Sequence, residues 1–234
     1  MNALAWRVVL GMSKLARGLH VIEPQTVRVE DVFSDDERIL DLGGGGEGVI
    51  GQLRGQQVTA VDIRQEELDE APSGPTKVVA DARDLPFPDG SFDAATAFYF
   101  LMYVSASDRE AVLREAHRVL RPGGTLRIWD ATIPAPGPKA RKTFVVPVRA
   151  KLPAQTIRTL YGVRWEGHEM SSDTVTQAAQ EARLHTRRRG RDRHLVLPHA
   201  RSVACAAQPP NACPQRIARN MRSAHACILA IAFS

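Results

Sequence analysis

The sequence predicts an α/β fold: a mostly parallel sheet of seven strands, covered by helices on both faces, with an antiparallel last strand. Three observations predict it. Short apolar runs recur at 38–42, 57–62, 76–80, 92–98 and 124–130, with helical or turn segments between them. Strands that alternate with helices imply a parallel sheet with covered faces and right-handed crossovers. The first run passes straight into a glycine-rich turn, ILDLGGGGEG at 39–48. Two later runs, 184–189 and 193–198, flank Gly190 closely enough to pair antiparallel.

The N-terminal segment, 1–34, reads as a helical cap. Leu4, Val8, Leu15 and Leu19 fall near one helix face, Arg7, Lys14 and Arg17 lie among them, and no acid precedes Glu23. That composition also suits a transit peptide or a membrane-surface helix; a helix packed over the domain is the preferred reading. The domain proper spans 35–200. Its best-marked helix is 108–120, with Ser107 and Glu110 as a capping box and Val112, Leu113, Ala116, Val119 and Leu120 as the buried stripe. Pro122, Gly123 and Gly124 stop it. Residues 131–170 read as an insertion, proline-rich at first and then carrying strand-like runs at 143–148 and 156–163. Ser171 or Ser172 caps the next helix. The tail, 201–234, holds all three cysteines and no acid. It is either a native extension with an amphipathic helix at 216–230 or a stretch foreign to the domain, as a readthrough or frame-shifted end would be.

The chain of 234 residues is long enough for one well-buried domain with appendages, and its 44% apolar and 24% charged content is ordinary. The net charge of +5 hints at nucleic acid, but four of those charges are Arg201, Arg216, Arg219 and Arg222 in the tail. The domain itself is near neutral. Arg187, Arg188, Arg189, Arg191 and Arg193 read as a solvated strand edge guarded by charge rather than a phosphate patch. No run reaches the roughly 20 apolar residues that span a bilayer, so no stable membrane insertion is expected. The odd cysteine count fits no disulfide framework and no zinc spacing. No metal is expected, and the expected location is cytoplasmic.

Four consecutive glycines weaken any helix or strand, and belong where a backbone turns sharply or nears a ligand. Strand, glycine turn and helix start present free N–H groups to a cofactor. The second strand ends in Asp62, 19 residues after Gly43. A carboxylate there suits two ribose hydroxyls.

Three stretches taken together carry a family resemblance: ILDLGGGGEG with the acid of VTAVD; VVADARDLPFPDGSFDAA at 78–95; and LREAHRVLRPGGTLRIWD at 113–130. Over about 35–200 the chain resembles the Rossmann-like, class I S-adenosylmethionine-dependent methyltransferases, in particular the small-molecule group around the quinone-biosynthesis enzymes. The resemblance implies a three-layer sandwich and S-adenosyl-L-methionine as cofactor. Asp41 and the Gly43, Gly44 and Gly45 backbone would line the methionine end. Asp62 would hold the ribose, and Ile63 would lie against adenine. Asp81 would accept from the adenine amino group, with the Ala82 N–H at a ring nitrogen. Ala97 and Phe98 would sit beside the methionine moiety. One departure is Glu47, where the family has its third glycine. Asp81 and Asp84 also suit a turn cap, and Asp93 suits the start of its strand.

The implied reaction is in-line methyl transfer to a small-molecule acceptor, driven by proximity and exclusion of water. No motif forces a catalytic residue. Candidates for a base or positioner are His168, Tyr99 and Asp130, with Tyr103 and Tyr161 beside them; His168 is the lone histidine of the insertion. The acceptor atom and the oligomeric state stay open. Two rivals share the glycine turn. A nicotinamide-dependent oxidoreductase lacks support because no Tyr-x-x-x-Lys pair occurs. A cofactor-binding scaffold without chemistry keeps the same fold. Methylation of nucleic acid is disfavoured by the near-neutral domain and the lack of an Asn-Pro-Pro-Tyr-like motif after the fourth strand.

Overall fold

The computed structural model describes residues 18–138, 140–182, 188–189, 194–195 and 227–232. Along the chain these form β1 (Leu19–Val21), β2 (Gln25–Arg28), β3 (Ile39–Leu42), α1 (Val49–Arg54), β4 (Val58–Asp62), α2 (Gln65–Glu70), β5 (Thr76–Val79) and β6 (Phe92–Phe98). Then come α3 (Arg109–Val119), β7 (Leu120–Asp130), β8 (Thr143–Lys151), β9 (Thr156–Arg164), α4 (Ser172–Glu181), β10 (Arg188–Arg189), β11 (His194–Leu195) and β12 (Cys227–Ala232).

The main sheet runs β12-β7-β6-β3-β4-β5. All its pairings are parallel except β12 on β7. The α/β class and the five expected parallel strands are therefore present. Against the seven strands expected in all, six strands of the main sheet fall among the described residues. The antiparallel strand of this sheet is not 193–198. It is β12, from the tail, whose apolar run with Ile228 and Ile231 suits a strand. That strand replaces the later part of the helix expected at 216–230; the earlier part lies outside the described residues. Arg188–Arg189 and His194–Leu195 do pair antiparallel, as a separate two-stranded ladder.

Near-continuous buried runs place β3 and β6 at the centre. Ile39, Leu40, Ala94 and Ala95 are completely buried, as are Leu126 of β7 and Val58 of β4. α3 buries Val112, Leu113, Ala116 and Val119 against this sheet. Its start differs from expectation. Asp108 is the N-cap and makes no side-chain cap bond; it pairs with Arg83 instead. Ser107 Oγ lies 2.9 Å from Ser105 Oγ, so the Ser107–Glu110 capping box is not formed. α4 has the expected cap, in which Ser171 and Thr174 bond reciprocally.

No helix joins β5 to β6. The DLPFPDGSFD loop is held by Arg118, which donates to Leu85 O, Phe87 O, Asp89 and Glu115 at 2.7–2.9 Å. Glu115 in turn accepts the Leu85 N–H. Asp93 takes the Arg38 backbone N–H and guanidinium, which fixes the start of β6 as expected.

The expected cap and insertion turn out to be one element. β8 pairs in parallel with β1 and β2 along one side and antiparallel with β9 on the other. Residues 18–34 are therefore strand and loop rather than helix; residues 1–17 of the expected cap lie outside the described residues. Val27 and Gln25 of β2 alternate inward, which suits a strand with one covered face. Phe144, Val146, Val148 and Ala150 form the inner face of this second sheet and are at most 1% exposed.

Leu40→Ala should cost about 2–5 kcal/mol, the range for opening a cavity in a packed core. A urea-unfolding midpoint unchanged by that substitution would contradict the central position of β3.

Candidate functional site

Asp41, the residue before the end of β3, is 2% exposed. It stands opposite Thr96 of β6, whose Oγ1 donates to Asp41 Oδ1 at 2.7 Å. Burial pushes the Asp41 carboxyl up to about 7, and the nearby charge of Asp62 adds to the shift while the Thr96 bond opposes it.

The glycine turn follows. The Gly43 and Gly44 N–H groups both donate to Val61 O, at 2.8 and 3.0 Å, which folds the turn back over β4. Gly43, Gly46 and Gly48 have positive φ, where L side chains are strained. The turn also leaves no room for a Cβ. At Gly43 one would run into the Phe100 ring; at Gly44 it would meet Ala60 Cβ at 2.8 Å and Asp41 Oδ2 at 2.9 Å. At Gly45 it would meet Glu67 Cβ at 2.5 Å and Asp62 Oδ2 at 2.9 Å. Asp41, the turn and Asp62 therefore share one small volume at the carboxyl ends of β3 and β4. Next to it, Ile63 is 62% exposed, an apolar side chain left in water at the lip of the turn.

Asp81 makes the contacts of a turn cap. Its carboxylate accepts the Arg83 backbone N–H at 2.9 Å, Arg83 Nε at 3.0 Å and Arg83 Nη2 at 2.6 Å. These bonds hold the carboxyl below the usual carboxylate range. Asp81 O also accepts the Asp84 N–H. The turn-cap alternative is thus the one seen, and Ala82 beside it is buried.

At the end of β6, Ala97 and Phe98 are buried in an aromatic cluster. Phe98 lies 5.1 Å from Tyr99, 5.9 Å from Trp129 and 6.4 Å from Tyr161, centroid to centroid. Tyr99 stacks on Tyr161 at 4.9 Å, within 5° of parallel. Among the described residues Tyr99 is the one non-glycine with positive φ, at 51°. Its hydroxyl donates to Gln25 Oε1 at 2.8 Å and its N–H to Trp129 O at 2.6 Å. Burial raises the phenol well above its ordinary value, so Tyr99 is no neutral-pH base.

Asp130, at the end of β7, is 3% exposed. It accepts the Met102 N–H at 3.1 Å and the Ala131 N–H at 2.8 Å, and burial pushes it up to about 7. Arg109, itself buried, lowers it through its charge and donates to Glu169 O and His168 O. His168 belongs to that outer turn. Its Nδ1 sits 3.3 Å from Glu166 O, and no contact joins it to the glycine turn among those described.

Several participants were not anticipated. Thr159 of β9 donates to Glu47 Oε1 at 2.5 Å, and Gln155 donates to Gln52 at 2.7 Å. The second sheet thus reaches across the turn and the start of α1. Thr96 could have been found as the lone hydroxyl in FDAATAF; Gln25, Thr159 and Glu67 carried no comparable signal. Two surface clefts, of about 480 and 560 Å³, lie beside the second sheet, one lined by His20, Pro138 and Trp165 and the other by Arg28, Lys151 and Gln155.

Part of the chain is similar to known methyltransferases. Residues 40–128 match the family model described as "Methyltransferase domain". The chain is 36% identical over 134 residues to the 27-O-demethylrifamycin SV methyltransferase of Amycolatopsis mediterranei, covering 49% of this chain and 48% of that protein. It is 36% identical over 107 residues to the ubiquinone/menaquinone biosynthesis C-methyltransferase of Desulfotalea psychrophila, covering 42% of this chain and 43% of that one. The chain thus spans about half the length of the curated relatives it matches. Among solved structures, a S-adenosylmethionine-dependent methyltransferase from Methanosarcina mazei aligns with a TM-score of 0.47 and 22% identity, over 66% of this chain and 82% of that one.

A pH dependence follows from Asp41. The ordinary carboxyl value is 3.8 and the folded value about 7. Between them the folded chain keeps a proton that the unfolded chain has lost, so this group's contribution falls as pH rises through that window. Asp130 contributes with the same sign. Relative to the unmodified protein, Asp41→Asn should gain stability between about pH 4 and about pH 8. Urea unfolding across that range checks it; a difference independent of pH would mean Asp41 titrates normally.

Proposed function

Residues 40–128 match the model of a methyltransferase domain, and from that premise we propose that the chain is of the S-adenosylmethionine-dependent class and moves a methyl group from S-adenosyl-L-methionine to a small-molecule acceptor. The observation that carries this reading is the crowding of Asp41, the glycine turn and Asp62 at the carboxyl ends of two adjacent parallel strands. Open α/β sheets bind ligands at that edge.

The residues present fit an adenosyl cofactor at its methionine and ribose ends. The turn has no Cβ, so a ligand can approach its backbone closely. Asp62 has a carboxylate oxygen at the turn and suits a pair of ribose hydroxyls. The exposed Ile63 offers an apolar surface to a flat base. The fit is weaker at Asp81, because an adenine amino group would compete with the Arg83 guanidinium for the same oxygens. The proposed set is therefore Asp41, Gly43, Gly44, Gly45, Asp62 and Ile63, with Ala82 and Phe98 beside them and Asp81 after Arg83 shifts.

When bound, the cofactor supplies a methyl group already activated on a sulfonium. The chain's own task is then position and dryness. Phe98, Trp129 and the Tyr99–Tyr161 stack line an apolar boundary at the end of β6 and β7. Asp41 and Asp130 are the two buried carboxyls beside it, each with an upward-shifted affinity for a proton. Asp130 is the better-placed candidate to hold a proton released by an acceptor, because backbone donors already fix both of its oxygens. His168 stands outside this arrangement. The relatives' names support a small-molecule acceptor, a rifamycin precursor in one case and a quinone precursor in another. A cytoplasmic location belongs to this proposal too, resting on a domain without cysteine. Among the described residues no helix is long and apolar enough to cross a membrane.

Thermal unfolding with S-adenosylmethionine, S-adenosylhomocysteine or NAD(H) tests the reading. A ligand at 100 times its dissociation constant should stabilise by about 2.7 kcal/mol, or about 5–10 °C for a chain of this size. Both adenosyl compounds should give that shift, NAD(H) none, and Asp62→Ala should abolish it. A shift with NAD(H) alone would transfer the site to an oxidoreductase. A shift with the adenosyl compounds but no methyl transfer to any acceptor tried would favour a scaffold.

A further inference from the structure

Arg64 holds two acids at once. Its backbone N–H donates to Asp62 Oδ1 at 3.0 Å, and its guanidinium pairs with Glu67 Oε1. Each acid thus has one oxygen engaged. Among the described residues no hydrogen bond reaches the other two, Asp62 Oδ2 and Glu67 Oε2. Both of these lie against the glycine turn. A Cβ on Gly45 would meet Asp62 Oδ2 at 2.9 Å, and a Cβ on Gly46 would meet Glu67 Oε2 at 3.0 Å. The backbone fixes this placement, because the Gly46 N–H donates to Glu67 O at 2.8 Å.

The ion pair alone does not account for the arrangement. The Arg64 side chain is 65% exposed, and exposed pairs contribute little to stability. What the pair does is turn the second oxygen of Glu67 toward the turn. With Oδ1 engaged by Arg64, Asp62 alone leaves a single unbonded oxygen for two ribose hydroxyls. Glu67 supplies another. Carboxylate oxygens accept hydroxyl protons, and bonds to a charged acceptor are the stronger kind. Two such oxygens over neighbouring residues of one turn suit two neighbouring hydroxyls of one ligand. Resting on the methyltransferase reading above, we propose that Glu67 is a second ribose-binding residue, which accepts one hydroxyl of the cofactor's ribose while Asp62 accepts the other.

Two observations put Glu67 on the ligand's side of the turn. Its Cβ comes within 2.5 Å of the point above Gly45 that Asp62 Oδ2 also approaches, so both acids border the space that the missing side chain leaves. Its charge also reaches Tyr103, just beyond β6. Burial pushes that phenol up to about 12, and the charges of Asp130, Glu67 and Glu47 add to the shift while the Gly162 N–H opposes it. Glu67 therefore lies between the turn and the aromatic residues at the end of β6.

Titration calorimetry of the full chain with S-adenosylhomocysteine tests this, beside the analogues that lack the 2′ or the 3′ ribose hydroxyl. Glu67→Ala should bind S-adenosylhomocysteine about 10–100-fold more weakly, the usual loss for a hydrogen bond to a charged group. For one of the two deoxy analogues, the one without the hydroxyl that Glu67 holds, the variant and the unmodified chain should bind alike. Glu67→Gln keeps an acceptor oxygen and should recover part of the loss. Undiminished binding of S-adenosylhomocysteine by Glu67→Ala would overturn the proposal. So would an equal loss for all three compounds, which marks a role in holding the turn rather than the ribose. If Glu67→Ala does not fold, the same comparison with Glu67→Gln decides by the same two outcomes. Failure of the unmodified chain to bind any of the three compounds would overturn the methyltransferase reading, and this proposal with it.

Discussion

The bond from Thr96 Oγ1 to Asp41 Oδ1 joins two neighbouring parallel strands at a carboxylate that water hardly reaches. A buried carboxyl without a partner is costly, so the position of Thr96 is set by that of Asp41. The carboxylate lies directly beneath Gly44, where any side chain would strike it. The turn must then fold back over Val61 O, and Phe100 and Glu67 close on it from either side. Asp62 arrives at the same place because β4 is in register with β3. One satisfied polar group thus sets the strand pairing, the turn and the approach of the second acid.

Over this edge lies a sheet assembled from two distant parts of the chain. β8 and β9 form a long hairpin, and β1 and β2 complete it from the N-terminal side. Its inner face does two kinds of packing. The aliphatic side chains of β8 join the common core, while Thr159 and Tyr161 of β9 reach Glu47 and Tyr99. The strained backbone at Tyr99 belongs to this contact. Non-glycine residues with positive φ persist where the surroundings over-determine them, and here a stack and two hydrogen bonds do so.

Much of the main sheet was legible in the sequence, because its strands are fully buried and read as continuous apolar runs broken by turns. The glycine turn and Asp62 were legible for a related reason: close approach admits no Cβ, and a strand-ending acid is rare in an apolar run. What was not legible involves pairing between segments far apart in sequence. Leu19–Val21 and Gln25–Arg28 are too short for a periodicity, and they become strands only because β8 offers a partner. Cys227–Ala232 likewise reads as an apolar run of either kind until β7 supplies an open edge. At Asp81 the sequence allowed two roles, and the turn-cap contacts are the ones the adjacent Arg83 makes. The capping box at Ser107 failed for a similar reason, with Asp108 drawn to Arg83.

Because the second sheet joins strands from both sides of the main sheet in the chain, its pairing has an order in time. Bringing β1 and β2 to β8 means closing a loop that contains β3 to β7, and such a closure is slow while that loop is unfolded. Once the main sheet has formed, the loop's ends are already near each other and the remaining step is short. The cover is then the last part to assemble. By the same logic it is the first to detach, since local opening follows the least costly unit. A ligand could reach the glycine turn through such brief detachment while the sheet beneath stays folded.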